Sequence, residues 1–233
     1  MIKLEKTEIF GWDAAVRGMR NPMNSHNKSD SGWVIVDGEY DVTRVRYQIG
    51  ENDLKRMKSL SKAGTDHAKF LRMINVTVDI TAPLYWWKEF KTYRNGRKFA
   101  NDETDLIPDD YLEYDIETNS CSTMHKIHDK EFVLEDFSHE HLNSISLPVL
   151  NGIINVLNTY RKDYNLMHEK EDWWQMIQLL PSSYNQKRTV QLNYQVLKNM
   201  YHARKNHKLD EWRAFCKWCE VLPYFTEICG KEV

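Results

Sequence analysis

The sequence predicts a mixed α/β fold of the α+β kind, with a mixed antiparallel sheet early in the chain and a helical second half. Two patterns carry that prediction. Short runs with apolar residues alternating every second position cluster before residue 81, and helical spacing dominates after residue 145. Composition agrees, since 41% of the 233 residues are hydrophobic and eight are Trp, ample for a proper core.

The first 20 residues, ending DAAVRGMR, read as a strand–helix lead-in, and NPMNSHNKSDSG as a polar loop. WVIV and VTRVRYQI read as strands joined across Asp37-Gly38, a hairpin-turn dipeptide. ENDLKRMKSLSKAG is a helix capped by Asn52 or Asp53, buried along Leu54, Met57 and Leu60, and stopped by Gly64. Val76, Val78 and Ile80 alternate with Thr77 and Asp79, as in a half-buried strand. Pro83 then opens a helix with Trp86, Phe90 and Tyr93 on one face. From Asn101 to Thr118 there are eight carboxylates and no Lys or Arg, the composition of a solvated insertion. Ile153, Leu157, Tyr160, Tyr164 and Met167 mark a helix, EDWWQMIQLL a second and DEWRAFCKWCEVLPYF a last one. Between them, Pro181 to Arg204 reads as one long helix. On it, Asn193, Leu197, Met200 and Arg204 fall at i, i+4, i+7 and i+11, an apolar stripe with an amide at one end and a guanidinium at the other.

Several function classes are disfavoured at once. A net charge of −2 gives no global footprint for nucleic acid or an anionic membrane, so an anionic ligand must be met locally. No apolar run reaches the length of a membrane span, and MIKLEKTEIF lacks a signal-peptide core, so a cytoplasmic protein is expected. Nine glycines never cluster, and neither G-x-G-x-x-G, a Walker loop nor G-x-S-x-G occurs. Of four cysteines, Cys216 and Cys219 form a C-x-x-C inside a helix pattern without a second ligand pair, which predicts core thiols and no metal. His125-x-x-His128 and His139-x-His141 likewise lack a further ligand at metal spacing.

Three separated blocks resemble the flavin-dependent thymidylate synthase (ThyX-type) family, over about residues 50 to 210. AGTDHAKFLRMINVTVDITAPLYWWKEFKTYR places His67 on the family's active-site histidine, Pro83 on its proline and Arg94 on the last residue of its Arg-His-Arg signature. LLPSSYNQKRTVQLNYQVLKNMYHAR matches Pro181, sets Asn193 and Asn199 on flavin-contacting asparagines and Arg204 on the substrate-contacting arginine. NSCSTMH is similar to the family's phosphate loop, with Asn119 and Ser122 on its Asn and second Ser. The departures fall on charge. Thr92 and Tyr93 replace the first two residues of Arg-His-Arg, Gln195 and Ile177 stand at arginine positions, Met124 replaces the loop's last Arg, and Glu89 replaces a glutamine near the nucleotide. Arg97, Lys98, Lys126, Lys187 and Arg188 are the cations left to substitute.

The resemblance implies a single ThyX-like domain over residues 1–233 with an acidic insertion at about 97–118, and a homotetramer. It implies FAD as cofactor, NADPH and methylenetetrahydrofolate as co-substrates, and methyl or hydroxymethyl transfer to C5 of a deoxypyrimidine monophosphate, a step of nucleotide biosynthesis. Arg204 would polarise the pyrimidine and His67 would sit beside the flavin or folate path. Arg94, Asn193, Asn199 and Gln195 would meet flavin, and Ser122, Asn119 and Glu89 the nucleotide. The alternative is a non-catalytic relative that binds a nucleotide or folate.

Overall fold

The structure is a computed structural model that describes residues 2–36, 44–93 and 116–230. The Asp37-Gly38 turn, Arg94, Arg97, Lys98 and most of the expected acidic insertion lie outside the described residues. Strands and helices run β1 (Lys3–Phe10), α1 (Trp12–Arg20), β2 (Gly32–Val36), β3 (Arg44–Gln48), α2 (Glu51–Lys62), β4 (Asn75–Pro83), α3 (Leu84–Phe90), β5 (Glu117–Ser120), α4 (Ser146–Met167), α5 (Lys170–Leu179), β6 (Asn185–Asn193), α6 (Tyr194–Arg204), α7 (Asp210–Glu220) and α8 (Phe225–Cys229). Four strands form a sheet in the order β1-β4-β6-β5, and β2 and β3 pair antiparallel as a separate ribbon. The mixed α+β class stands, but one inner strand of the sheet comes from the second half of the chain.

That strand is the main correction. Pro181 to Arg204 is not one helix: residues 185–193 are β6, and the helix begins only at Tyr194. Gln186, Arg188, Val190 and Leu192 are buried while Lys187, Thr189 and Gln191 are not, a period of two. The period was hidden because two of its four inward residues are polar. The expected stripe dissolves accordingly, with Leu197 and Met200 in the core and Asn193 ahead of the first helical turn.

By contact the residues group into two units. The first comprises Met1–Glu5, Asp79–Tyr93 and Thr118–Val190. Its core gathers Phe132, Phe137, Leu150, Leu157 and Met176, with Tyr160, Tyr164, Trp173 and Ile177 packed against it. Asn143 caps α4 by accepting from the Ile145 and Ser146 N–H groups, each at 3.0 Å. His168, in the left-handed region at φ 57°, ends that helix. Pro83 closes β4 and stands just ahead of α3 rather than within it. The first two free N–H groups of α3 donate to Tyr184 and Ser182 carbonyls, both at 3.0 Å. Trp86, Trp87 and Phe90 are fully buried beneath it, whereas Tyr93 lies in a following 3-10 turn.

The second unit comprises Lys6–Val78, Arg94–Glu117 and Gln191–Val233. Trp12, Tyr194 and Phe225 stack edge to face at its centre, with ring centroids 5.3 and 5.5 Å apart. Gly11 turns the chain into α1 at φ +93°, where a Cβ would sit 2.0 Å from the Met73 carbonyl oxygen. The cap of α2 is also a correction, because neither Asn52 nor Asp53 supplies it. The Asp30 carboxylate accepts from the backbone N–H of both, at 2.8 and 3.1 Å. The Asp53 side chain is instead wholly buried and paired with Arg20.

Candidate functional site

The junction of β6 and α6 concentrates the amides that the sequence singled out. Asn193 is buried at the N-cap, and its Oδ1 accepts from the Val196 N–H at 3.0 Å, leaving the side-chain NH₂ as its remaining donor. Two residues on, Gln195 is 6% exposed. Its Nε2 donates to Asn199 Oδ1 at 3.0 Å, while its Oε1 is buried without a hydrogen-bond partner among the described residues. Leaving a buried carbonyl unmet costs about 1–3 kcal/mol. Asn199 is exposed one turn further.

Arg204 closes the same helix. Its guanidinium lies 5.1 Å from the Trp212 ring centroid, a cation–π arrangement that holds a positive charge half-exposed. With a rise of about 1.5 Å per residue, Asn193 and Arg204 stand roughly 16 Å apart along the axis. One ring cannot touch both, so they suit two ligands or the two ends of a long one. His67 is exposed in the turn after α2, where its N–H donates to the Gly64 carbonyl at 3.2 Å. The 3-10 helix that follows, Lys69–Met73, packs on α6. Lys198 fixes α6 to α2 by donating to the Ser61 carbonyl and hydroxyl at 2.8 and 3.0 Å. Thus His67, Asn193, Gln195, Asn199 and Arg204 share the second unit, on elements that pack together.

Of the other expected residues, Arg94 lies outside the described residues, and Glu89, Asn119 and Ser122 belong to the first unit. Asn119 is exposed on β5, and Glu89 is half-buried on α3. Ser122 is exposed, but its Oγ accepts from the Met124 and His125 N–H groups at 3.2 and 2.9 Å, which organises its own turn. The spare cations are largely engaged. Lys187 Nζ is 3.0 Å from Asp79, and that hydrogen bond and charge raise its pKa above the ordinary value. Asp79 also accepts from the Thr189 hydroxyl at 2.7 Å. Arg188 is 9% exposed, donates through Nε and Nη2 to Gln186 Oε1 at 3.1 and 2.8 Å, and lies 4.3 Å from the Trp87 centroid. Lys126 sits 3.5 Å from Asp129. Ile177, at an expected arginine position, packs against the apolar core.

The sequence reading passed over Asp79, Gln186 and Arg188 as interior polar groups. The alternation of QKRTVQL was the signal that pointed to Gln186 and Arg188; on β4 the residue interrupting the apolar alternation, Asp79, carried no such signal. The thiols, by contrast, are where the sequence placed them. Cys216, Cys219 and Cys229 are buried and free, and burial pushes Cys216 and Cys229 up to about 12, far from a thiolate at neutral pH. Among the described residues no group of three or more His, Cys, Asp or Glu is placed to hold a metal ion. Nor is any described helix long and apolar enough to cross a membrane.

This arrangement of sheet and helices is the fold of the flavin-dependent thymidylate synthases. Among the solved structures that share it are two of ThyX from Helicobacter pylori complexed with FAD and dUMP. One superposes with a TM-score of 0.62 at 16% identity, covering 97% of this chain and 97% of that one. The other gives 0.62 at 15% identity over 98% and 97%. No protein-family model matches the sequence, and no curated protein does.

Proposed function

We propose that this chain is a flavin-dependent enzyme that transfers a one-carbon group to C5 of a deoxypyrimidine monophosphate. The observation that carries the reading is the shared fold, end to end, with proteins described as complexed with FAD and dUMP. At the β6–α6 junction two side-chain amides have the hydrogen-bonding character to meet the polar edge of a flavin ring. Gln195 Oε1 is an acceptor awaiting an N–H, and the amide NH₂ of Asn193 is a donor beside it in sequence. Bound flavin supplies a hydride that no side chain can.

The chain's own residues supply position and charge. Arg204, held over Trp212, presents a fixed guanidinium that stabilises negative charge developing on the pyrimidine ring. Asn199, tied to Gln195, keeps the amide pair in one orientation. His67, exposed in the turn after α2, is the proposed residue beside the flavin or folate path, and Arg94, Asn119, Ser122 and Glu89 are the proposed contacts to phosphate and nucleotide. In the net reaction the methylene carbon of methylenetetrahydrofolate replaces the C5 hydrogen, which leaves as a proton. A hydride drawn ultimately from NADPH reduces that carbon to methyl, and tetrahydrofolate departs. The assembly proposed is a homotetramer of a single ThyX-like domain.

Mass spectrometry of ligands released from the native protein tests this. FAD recovered with a pyrimidine monophosphate supports it; no flavin recovered after saturation with FAD removes it. A second reading, a non-catalytic nucleotide- or folate-binding relative, is favoured by one specific observation. Lys187 and Arg188 are committed to internal partners, and Ile177 to the core, so among the described residues the candidate cations for a pyrophosphate are few. Protein of that kind would be colourless, yet its melting temperature would rise with dUMP.

A further inference from the structure

We propose that a second site, at the corner between β1 and α1, binds a planar, uncharged heteroaromatic molecule that carries N–H donors. A cavity of about 740 Å³ opens there, within the span of small-molecule sites. None of His67, Asn193, Gln195, Asn199 and Arg204 lines it. Five aromatic side chains do: Phe10, Trp12, Trp33, Tyr47 and Tyr224. They arrive from the β1–α1 corner, from both strands of the ribbon and from the turn before α8.

The rings are arranged in edge-to-face pairs. Trp33 meets Tyr47 across the ribbon at 5.4 Å and 81°, and Trp12 meets Tyr224 at 5.4 Å and 77°. In the open Trp33–Tyr47 pair the edge-on ring uses neither of its faces, so π-surface remains for a third partner, while Trp12, buried and also set against Tyr194, forms the back of the cavity. Trp33 is 65% exposed and Val45 60%, apolar surface held in water around a concavity. The register sets Trp33 opposite Tyr47 and Ile35 opposite Val45, so strand alternation puts all four on one side of the ribbon.

Charge selects the ligand class. Asp13 is neutralised by Arg17, and the other charged lining residues, Arg46 and Glu227, have opposite signs. A lining balanced in this way discriminates against ions and suits an uncharged ring system. The Glu227 Oε2 accepts from the Thr226 hydroxyl at 2.9 Å, which leaves the second oxygen to accept an N–H from a heterocycle. The backbone adds an independent sign. Two lining residues adopt positive φ, Gly11 at +93° and Tyr224 at +56°, the latter an unfavourable conformation for an aromatic residue. Conformations of that kind collect at ligand clamps.

The test is a titration of pterin (2-amino-4-oxopteridine) with the full chain, read by pterin fluorescence anisotropy in the presence of saturating FAD. A saturable rise is expected, with FAD failing to compete, and at least tenfold weaker binding in Trp33→Ala. The exposed Glu227→Gln, which leaves the ribbon untouched, gives a second reading with the same expected direction and an unchanged melting curve. Absence of a saturable rise, or binding indifferent to both variants, overturns the proposal. So does association of the free chain that Trp33→Ala abolishes without any pterin binding, which would assign this face to a second copy. Neither outcome bears on flavin binding at α6, so the two sites stand or fall separately.

Discussion

Two buried polar side chains have opposite thermodynamic meanings. Asp53 is wholly buried, yet its charge is fully met. Arg20 donates through Nε at 2.8 Å, the Ser29 and Ser31 hydroxyls at 2.6 and 2.7 Å, and the Arg20 guanidinium also reaches the Ser25 and Lys28 carbonyls. Burial alone would raise its pKa; the Ser29, Ser31 and Arg20 bonds and the Arg20 charge outweigh it and hold the carboxyl below its ordinary value. A carboxyl depressed on folding contributes stability that is complete above its unfolded pKa, about 3.9, and fades as pH falls through the lower folded value. Asp53→Asn should therefore cost about 3–5 kcal/mol in denaturant unfolding at pH 7. The difference from wild type should shrink as the acid limb is entered. Gln195 is the contrary case. Gln195→Leu removes an unpartnered buried carbonyl, so stability should hold or rise by about 1 kcal/mol, while FAD affinity falls. A clear loss of stability with FAD affinity intact would show that Gln195 serves packing alone.

At the scale of elements, the β6–α6 boundary shows what the sequence made legible. Helices with apolar stripes, such as α4 and α7, and the alternating Val76, Val78 and Ile80 of β4 were readable because their inward faces are apolar almost throughout, Glu211 on α7 being the exception. In β6 the inward face carries Gln186 and Arg188, whose burial depends on Trp87 and on each other. Such partners lie about a hundred positions away in sequence, and no local pattern announces them. The cap of α2 was missed for the same reason, since Asp30 reaches it from a loop. Asn193 and Arg204 stood out in the sequence as the polar ends of a helical stripe, whose i, i+11 spacing already implies roughly 16 Å. Gln195 and Asn199 stood out through the resemblance; what the structure adds is that Asn193 caps a helix that begins only at Tyr194. Asn193→Ala should destabilise the chain by about 0.5–2 kcal/mol through loss of the cap. Asn193→Asp retains a capping oxygen while removing the NH₂ donor, so it should preserve the melting temperature and weaken FAD. Equal melting losses in both variants would contradict the capping role.

At the scale of the whole molecule, the fold is shared over nearly the full chain with proteins only 15–16% identical. Similarity at that distance transmits architecture, while function rests on particular groups. Under the proposed function Arg204 and the α6 amides are the groups that carry the chemistry, whereas Ile177 and the paired Lys187 and Arg188 have been absorbed into structure. The central claim is that the retained groups suffice for chemistry at C5 of a pyrimidine. Release of tritium from dUMP labelled at C5 measures it most directly, with FAD, NADPH and methylenetetrahydrofolate present. The account predicts release that requires all three and falls by at least about a hundredfold, near 2.7 kcal/mol, in Arg204→Ala. A protein that binds FAD and dUMP yet leaves the tritium in place would contradict it.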